Sequence, residues 1–568
     1  MNTAAPIRPQ HKCWPKRLPR DLVIPETTLW FNLEVSAARF PDKPLYLFFG
    51  RPLSFAQARA QAEAVAGWLQ SVGVKAGDRV LLDMQNCPQF GVAFYGILRA
   101  NAVVVPVNPM NRAEELKHYI TDADAKVAIC TVDVAGALAE ASAGLPEGQR
   151  LTHIVATRYT DAMPEGPLDP ADTPSPAMEA WLRGDPELPP GTTRWTEVLA
   201  AGLKPGPLTS QPDDMAILPY TSGTTGNPKG CIHTHRTLMA NSVGMSWTHT
   251  GPETVGLGVV PFFHITGLMY SVHGAIYAGA TIVVMPRWDR ELAGRWISRY
   301  GVTHWTCIPT MVIDLFGSPN YASFDLSSLK FMSGGGAAMP QAVAERLRDQ
   351  FGLTFAEGYG LTETAAPTHA NPPEAAKLQC LGIPIFGVDS RVVDPDTLKE
   401  LPPGEIGEIV SHGPMVFKGY WKHPDATKAA FVEIDGKSFF RTGDLGRMDE
   451  DGYFFITDRL KRMINASGFK VWPAEVESML YKHPAVQEAC IIAARDEYRG
   501  ETVKAVVVLR AEAKGQTTAD DIIGWAREHM AAYKVPRLVE FVDALPKSGS
   551  GKVMWRLLQD AEGAKKAA

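Results

Sequence analysis

Short apolar runs rich in β-branched residues alternate with amphipathic stretches along most of this chain. Val80 to Leu82, Ala102 to Val107, Lys126 to Cys130, Ala280 to Met285 and Thr303 to Ile308 read as strands. The stretch from Gln57 to Val72 shows the helical period: Ala60, Ala64, Trp68 and Leu69 recur on one face before Gly73 and Gly77 break it. Strands separated by helices imply an α/β fold with mostly parallel sheets.

The pattern changes in three places. From Pro164 to Pro190 the composition turns to Pro, Asp, Glu and Ala, which reads as a surface excursion rather than an element. From Gly404 to Ser411 and from Gly436 to Asp444 short strands and turns suggest a small β-rich subdomain. Beyond the charged tetrapeptide Asp458-Arg459-Leu460-Lys461 the expected elements are a helix from Pro473 to Lys482, strands at Val486 to Ala493 and Lys504 to Leu509, and a helix from Thr518 to Met530. That is an α+β module of about 100 residues, an ordinary domain size. No internal repeat is visible.

Composition narrows the class. The chain has 568 residues, of which 45% are hydrophobic and 21% charged, values typical of a globular enzyme of several domains. A net charge of -6 argues against nucleic acid as the main partner. Seven cysteines stand far apart, with no Cys-x-x-Cys pair and no metal-ligand spacing, which fits free thiols in a reducing cytoplasm. The first twenty residues are basic without the apolar core of a secretory signal, so a ragged, solvated arm is expected. No run approaches the roughly eighteen apolar residues of a membrane span, so no integral membrane segment is expected.

Candidate chemistry begins at Thr221 to Gly230, Thr-Ser-Gly-Thr-Thr-Gly-Asn-Pro-Lys-Gly, which contains four hydroxyls, three glycines and one lysine, but no acid. Glycines let backbone N–H groups approach an anion, hydroxyls add donors, and Lys229 adds a mobile charge, so a polyphosphate is the expected ligand. Asn227 and Pro228 separate Gly226 from Lys229, so this is not a Walker A loop.

Tyr220 to Gly230 resembles the phosphate loop of the adenylate-forming superfamily, which includes acyl- and aryl-CoA synthetases, amino-acid adenylation domains and luciferase-like enzymes. Further motifs of that superfamily follow in order from Leu98 to Lys552. The resemblance places Thr221, Ser222, Gly223, Thr224, Thr225, Gly226 and Lys229 around phosphate. It places Gly334, Gly335, Gly336 and Tyr359 around adenine, and Thr362 at the α-phosphate. Glu363 becomes a Mg2+ ligand, Asp444 and Arg459 bind ribose and its neighbourhood, and Lys552 in the loop Pro546 to Lys552 becomes the catalytic lysine. Pro261 to Gly267 resembles the segment whose histidine borders the acyl pocket and the entering thiol. On its own His264 among phenylalanines reads as a buried core residue.

The superfamily implies an α/β body of layered sheets with a β-barrel-like subdomain at 1–458, a hinge at 459–461 centred on Lys461, and a mobile α+β domain at 462–568. Rotation about the hinge would bring Asn465 to Lys470 to the site, with Gly468 lining a pantetheine tunnel beside Lys470. A carboxylate would first become an acyl-AMP at the cost of ATP, and a thiol would then displace AMP. The pocket residues implied are His264, Ile265, Thr266, Thr306, Gly334, Gly335, Gly358, Gly360, Ala365 and Ala366. Small uncharged linings suit an apolar tail, so a medium- or long-chain fatty acid is the expected substrate, with coenzyme A as acceptor. Aryl, branched or thioether-bearing acids stay open, as does a carrier protein in place of free CoA, although the chain ends soon after Lys552. A non-catalytic acyl-adenylate sensor is the alternative from another class. A homodimer is a family-level expectation.

Overall fold

The computed structural model describes residues 9–221, 228–335, 339–459, 462, 464–466, 469–471, 473–496, 500–547 and 553–564. Ser222 to Gly226, Gly336, Lys461, Gly468 and Lys552 of the expected site therefore lie outside the described residues. The chain divides into two compact units, Met1–Asp389 with Ser411–Phe440, and Ser390–Val410 with Arg441–Ala568.

The first unit contains a seven-stranded and a nine-stranded sheet. In the first of these, Val103–Val107, Arg79–Asp83, Val127–Thr131, His153–Thr157 and Thr193–Arg194 lie parallel in that order. Every residue of Val103–Val107 and of Val127–Thr131 is buried, as expected of strands covered on both faces. Pro106 lacks an N–H, and the strand tolerates it because Met215–Ile217 on that side pairs only at Val104. The nine-stranded sheet runs parallel from Phe355–Leu361 through Phe331–Gly334, His304–Cys307, Val255–Gly258 and Thr281–Val284 to Pro44–Phe48, with antiparallel strands at both edges. The expected strands are all present.

Three readings need correction. The helix read from Gln57 begins at Phe55, where Ser54 and Gln57 form a reciprocal cap, and its buried residues are Phe55, Ala58, Ala62, Val65, Ala66, Gly67 and Leu69; Ala60 is exposed. The stretch from Pro164 to Pro190 contains the helix Pro176–Leu182, with Leu182 fully buried and the Trp181 ring under Arg287. Asp172 in the same stretch is buried and accepts from the Tyr300 hydroxyl at 2.6 Å. Last, the N-terminal arm packs from Pro9 onward. The Trp14 ring lies edge-on to Trp247 and Phe386, at 5.1 and 5.6 Å, and Arg17 pairs with Glu374.

In the second unit, Val486–Asp496 and Gly500–Leu509 pair antiparallel over their length, Leu538–Phe541 joins parallel, and Ile464–Ala466 and Phe469–Val471 complete a five-stranded sheet. The helices Pro473–Leu480 and Ala519–His529 pack Val476, Leu480, Ile522 and Ala526 into its core. The division between units runs through Gly407–His412 and Lys437–Met448, in the stretch read as β-rich.

One buried acid sits at the carboxyl end of Arg79–Asp83. Asp83 is 1% exposed and its Oδ1 has no hydrogen-bond partner among the described residues. Burial first, and the Asp133 charge second, push its carboxyl up to about 7. The folded state thus holds this proton more tightly than the unfolded chain does. Stability falls as pH rises from the ordinary carboxylate range to about 7 and levels off above it. Asp83→Asn is expected to raise the thermal midpoint more at pH 8 than at pH 5; an equal gain at both, or a loss at pH 8, contradicts this.

Candidate active site

The two ends of the phosphate loop form a small antiparallel ladder, with Thr221 opposite Lys229 and Tyr220 opposite Gly230. Its base is pinned from several sides. The Tyr220 hydroxyl donates to Asp122 at 2.6 Å, His118 Nε2 donates to the Pro228 carbonyl at 2.7 Å, and Trp421 N–H donates to the Gly230 carbonyl. Lys229 Nζ sits 5.4 Å from the centre of the Tyr420 ring, within cation–π range. The Tyr420 hydroxyl donates to Glu363 Oε1 at 2.8 Å, and Phe417 N–H donates to the Glu363 carbonyl at 2.8 Å. Burial, then the Glu363 charge, raise the Tyr420 phenol, so it keeps its proton and remains the donor. Lys229 and Glu363, predicted separately from sequence, are thus joined through one aromatic side chain.

Glu363 lies in the 3-10 turn Thr362–Thr364, and the next two residues, Ala365 and Ala366, have φ of 49° and 71°. Two consecutive non-glycine residues in the left-handed region cost on the order of 1–2 kcal/mol each. Buried Asn241 offsets that cost. Its Nδ2 donates to the Ala365 carbonyl at 2.7 Å and to those of Thr364 and Pro367 at 3.3 Å. The Thr364 hydroxyl closes the turn on the Ala366 carbonyl, and His233 Nε2 donates to the Thr362 carbonyl at 2.7 Å. Burial holds His233 down to about 4, so it is a neutral donor whose tautomer follows from its carbonyl partner.

Other candidate residues follow the carboxyl ends of parallel strands, where ligands bind in open α/β sheets. A Cβ on Gly334 would lie 1.9 Å from the Cys307 carbonyl oxygen, and one on Gly360 would lie 2.1 Å from that of Ala366. Close strand packing therefore requires glycine at both positions. Tyr359 is 9% exposed and its ring packs against His369 at 5.6 Å. His264 caps the short helix Ile265–Gly267, and its turn is held by Asn86, which accepts from Phe262 N–H at 2.7 Å and donates to Val260 and Met285 carbonyls. The Thr306 and Ser333 hydroxyls meet at 3.3 Å.

In the second unit, fully buried Asp444 follows Gly443, whose φ of 69° and N–H bond to Glu408 shape the turn. Thr442 accepts from Asp444 N–H and donates to the Ile409 carbonyl at 2.6 Å, and Asp444 is opposite Arg459 across the ladder of Lys437–Met448 with Phe454–Arg459. Asp458 accepts from Ala474 N–H at 2.6 Å at the start of the helix Pro473–Leu480, so this member of the charged tetrapeptide has a structural role. Lys470 is opposite Asn465 in its hairpin. Lys547 and Val553, on either side of Lys552 in sequence, form an isolated antiparallel bridge.

Family comparison resolves what this arrangement belongs to. Residues 33–421 match the model for AMP-binding enzymes and residues 475–552 match that for the AMP-binding enzyme C-terminal domain. The chain belongs to the AMP-binding enzymes, in their acyl-CoA synthetase branch. It is similar to a long-chain-fatty-acid–CoA ligase of Bacillus subtilis, 36% identical over 561 residues, covering 97% of both chains. It is also similar to a feruloyl-CoA synthase of Amycolatopsis, 35% identical over 89% of this chain and 93% of that one. Among solved structures, ATP-bound MatB from Rhodopseudomonas palustris superposes with a TM-score of 0.79 at 29% identity, over 94% of this chain and 99% of that one.

For an AMP-binding enzyme the donor set beside the loop suits magnesium: one carboxylate, oriented by a phenol, next to the ends of a phosphate loop, with phosphate oxygens and water left to complete the shell. Sequence reading missed Tyr420, Asn241, His233 and Asn86. The His-Thr-His run at 233–235 was the one local signal available; the rest depend on contacts distant in sequence. Tyr420→Phe keeps the ring under Lys229 and removes the bond to Glu363. We expect adenylation, read as carboxylate-dependent pyrophosphate exchange, to fall by about tenfold or more with little change in thermal midpoint. An unchanged rate would remove Tyr420 from the machinery.

Proposed function

We propose that this chain is an ATP-dependent fatty-acid CoA ligase, acting on medium- to long-chain acids through an acyl-AMP. The observation that carries this is the gathering of Lys229, Tyr420 and Glu363 at the base of the loop Thr221–Gly230, in the same unit as a cavity lined by Thr306 and Ser333. The carboxylate attacks the α-phosphorus of ATP and pyrophosphate leaves; the thiol of coenzyme A then attacks the acyl carbon and AMP leaves. Lys229, the loop N–H groups, the Thr362 hydroxyl and Lys552 offset the growing negative charge. Glu363 would hold magnesium together with phosphate oxygens, and that ion supplies further positive charge there. Tyr359, Gly334, Gly335 and Gly336 would take adenine; Asp444 and Arg459 would take ribose. His264, Ile265, Thr266, Gly358, Gly360 and Ala365 would border the acyl carbon.

The same reading divides the chain at 1–458, a hinge at 459–461 and a mobile domain at 462–568, with Gly468 and Lys470 serving the thiol half-reaction. We further propose a cytoplasmic enzyme that assembles as a homodimer; among the described residues no helix is long and apolar enough to cross a membrane. An aryl substrate is the second reading, favoured by hydroxyls of Thr306, Ser333, Thr250 and Thr254 in the cavity wall.

The test supplies purified protein with ATP, Mg2+ and acids from acetate to palmitate plus benzoate and cinnamate, with and without CoA. CoA-dependent thioester with a preferred aliphatic acid is expected. Preference for cinnamate or benzoate would favour the aryl reading, and no turnover would favour a sensor. In the same assay Lys552→Ala should lower acyl-AMP formation by about a hundredfold.

A further inference from the structure

Two small cavities of the first unit share one wall. The first, of about 30 Å3, is bordered by Gly256, Ala275, Ile282, His304, Thr306 and Ser333. The second, of about 20 Å3, is bordered by Asn241, Met245, Trp247, Pro367, Ala370 and Ile385. Each has room for a water molecule or two as it stands, so an acyl tail is admitted only as lining side chains move aside. Thr248 and Tyr270 line both.

The two shared residues are held differently. Thr248 is fixed, its hydroxyl bonded to the Met245 carbonyl at 3.0 Å and to Thr250 Oγ1 at 2.8 Å. The Tyr270 hydroxyl has no hydrogen-bond partner among the described residues, and burial is what raises it. Tyr270 sits in the π-helical turn Leu268–His273, the kind of local widening that recurs at functional sites. Around it Leu268, Met269, Val272 and His273 are buried, and His273 Nδ1 is bonded to the Tyr95 hydroxyl at 3.0 Å. The turn is anchored while the tyrosine ring is held by packing alone.

The first cavity starts beside Thr306 and Ser333, next to Gly334, and runs toward Thr254 and Ala280 at the amino ends of their strands. The second leads away from it to Trp247, which Trp14 and Phe386 pack against from outside.

We propose that Tyr270 sets the length of the acyl chain this enzyme accepts. In the position described, its ring stands between the two cavities, so a tail that enters beside Thr306 by displacing the small side chains there stops at the ring. Displaced, it joins the two cavities and lets a longer tail run on to Trp247. This rests on the carboxylate-ligase reading above.

The test measures kcat and KM for thioester formation with octanoate, dodecanoate and hexadecanoate in the wild-type protein, Tyr270→Ala and Tyr270→Trp. Tyr270→Ala is expected to raise the ratio of kcat/KM for hexadecanoate over octanoate about tenfold or more, through KM for the longer acid. Tyr270→Trp is expected to lower it. If Tyr270→Ala loses its fold by circular dichroism, Tyr270→Leu carries the same expectation. Equal ratios in wild type and variants overturn the assignment of Tyr270 while leaving the ligase reading intact. A wild-type protein that forms neither adenylate nor thioester from any of these acids overturns both.

Discussion

A left-handed pair of alanines two residues after a carboxylate is costly backbone, and it persists only where the surroundings over-determine it. Here Ala365 and Ala366 adopt φ of 49° and 71°, and Asn241 binds three carbonyls of the segment around them. The Glu363 carboxylate has its position because that turn has its shape. His233 fixes the turn from one side through Thr362, and Phe417 and Tyr420 fix it from the other through the backbone and side chain of Glu363. Removing the Asn241 amide takes one donor from each of three carbonyls, at about 0.5–1.5 kcal/mol per bond.

The same clamps join the site to the sheets. Asn241 lies on the helix His235–Val243, which starts right after the strand His233–Thr234 of the seven-stranded sheet. The turn itself follows Phe355–Leu361 of the nine-stranded sheet. Asn86, just beyond the strand Arg79–Asp83, ties its own sheet to the ends of two strands in the other. Site and core are thus bound by buried amide side chains, groups that are inexpensive in a core only when satisfied.

What was legible in the sequence was local. Apolar runs such as Val103–Val107 identify themselves because parallel strands are buried on both faces, and the phosphate loop and the Thr362-Glu363 segment carry their chemistry in adjacent residues. The buried face of Phe55–Ser71 was misassigned because an alanine-rich helix offers several stripes of similar hydrophobicity. The helix Pro176–Leu182 escaped notice because it spans seven residues and buries only Met178 and Leu182, its Trp181 meeting partners distant in sequence. The N-terminal arm read as solvated since its anchor, Trp14, meets partners more than two hundred residues away. Tyr420 lies 57 residues from Glu363 and Asn241 lies 124 from Ala365, so no periodicity or motif length could connect them.

The most direct measurement of whether this clamped turn organises the chemistry is ATP–pyrophosphate exchange by Asn241→Ala and wild-type protein, at a temperature where circular dichroism shows both folded. Carboxylate-dependent exchange in the wild type and a rate lower by about tenfold or more in the variant is the expected result. Equal exchange rates in two folded proteins would show that the Asn241 clamp, and the backbone it holds after Glu363, do not set the geometry of adenylation.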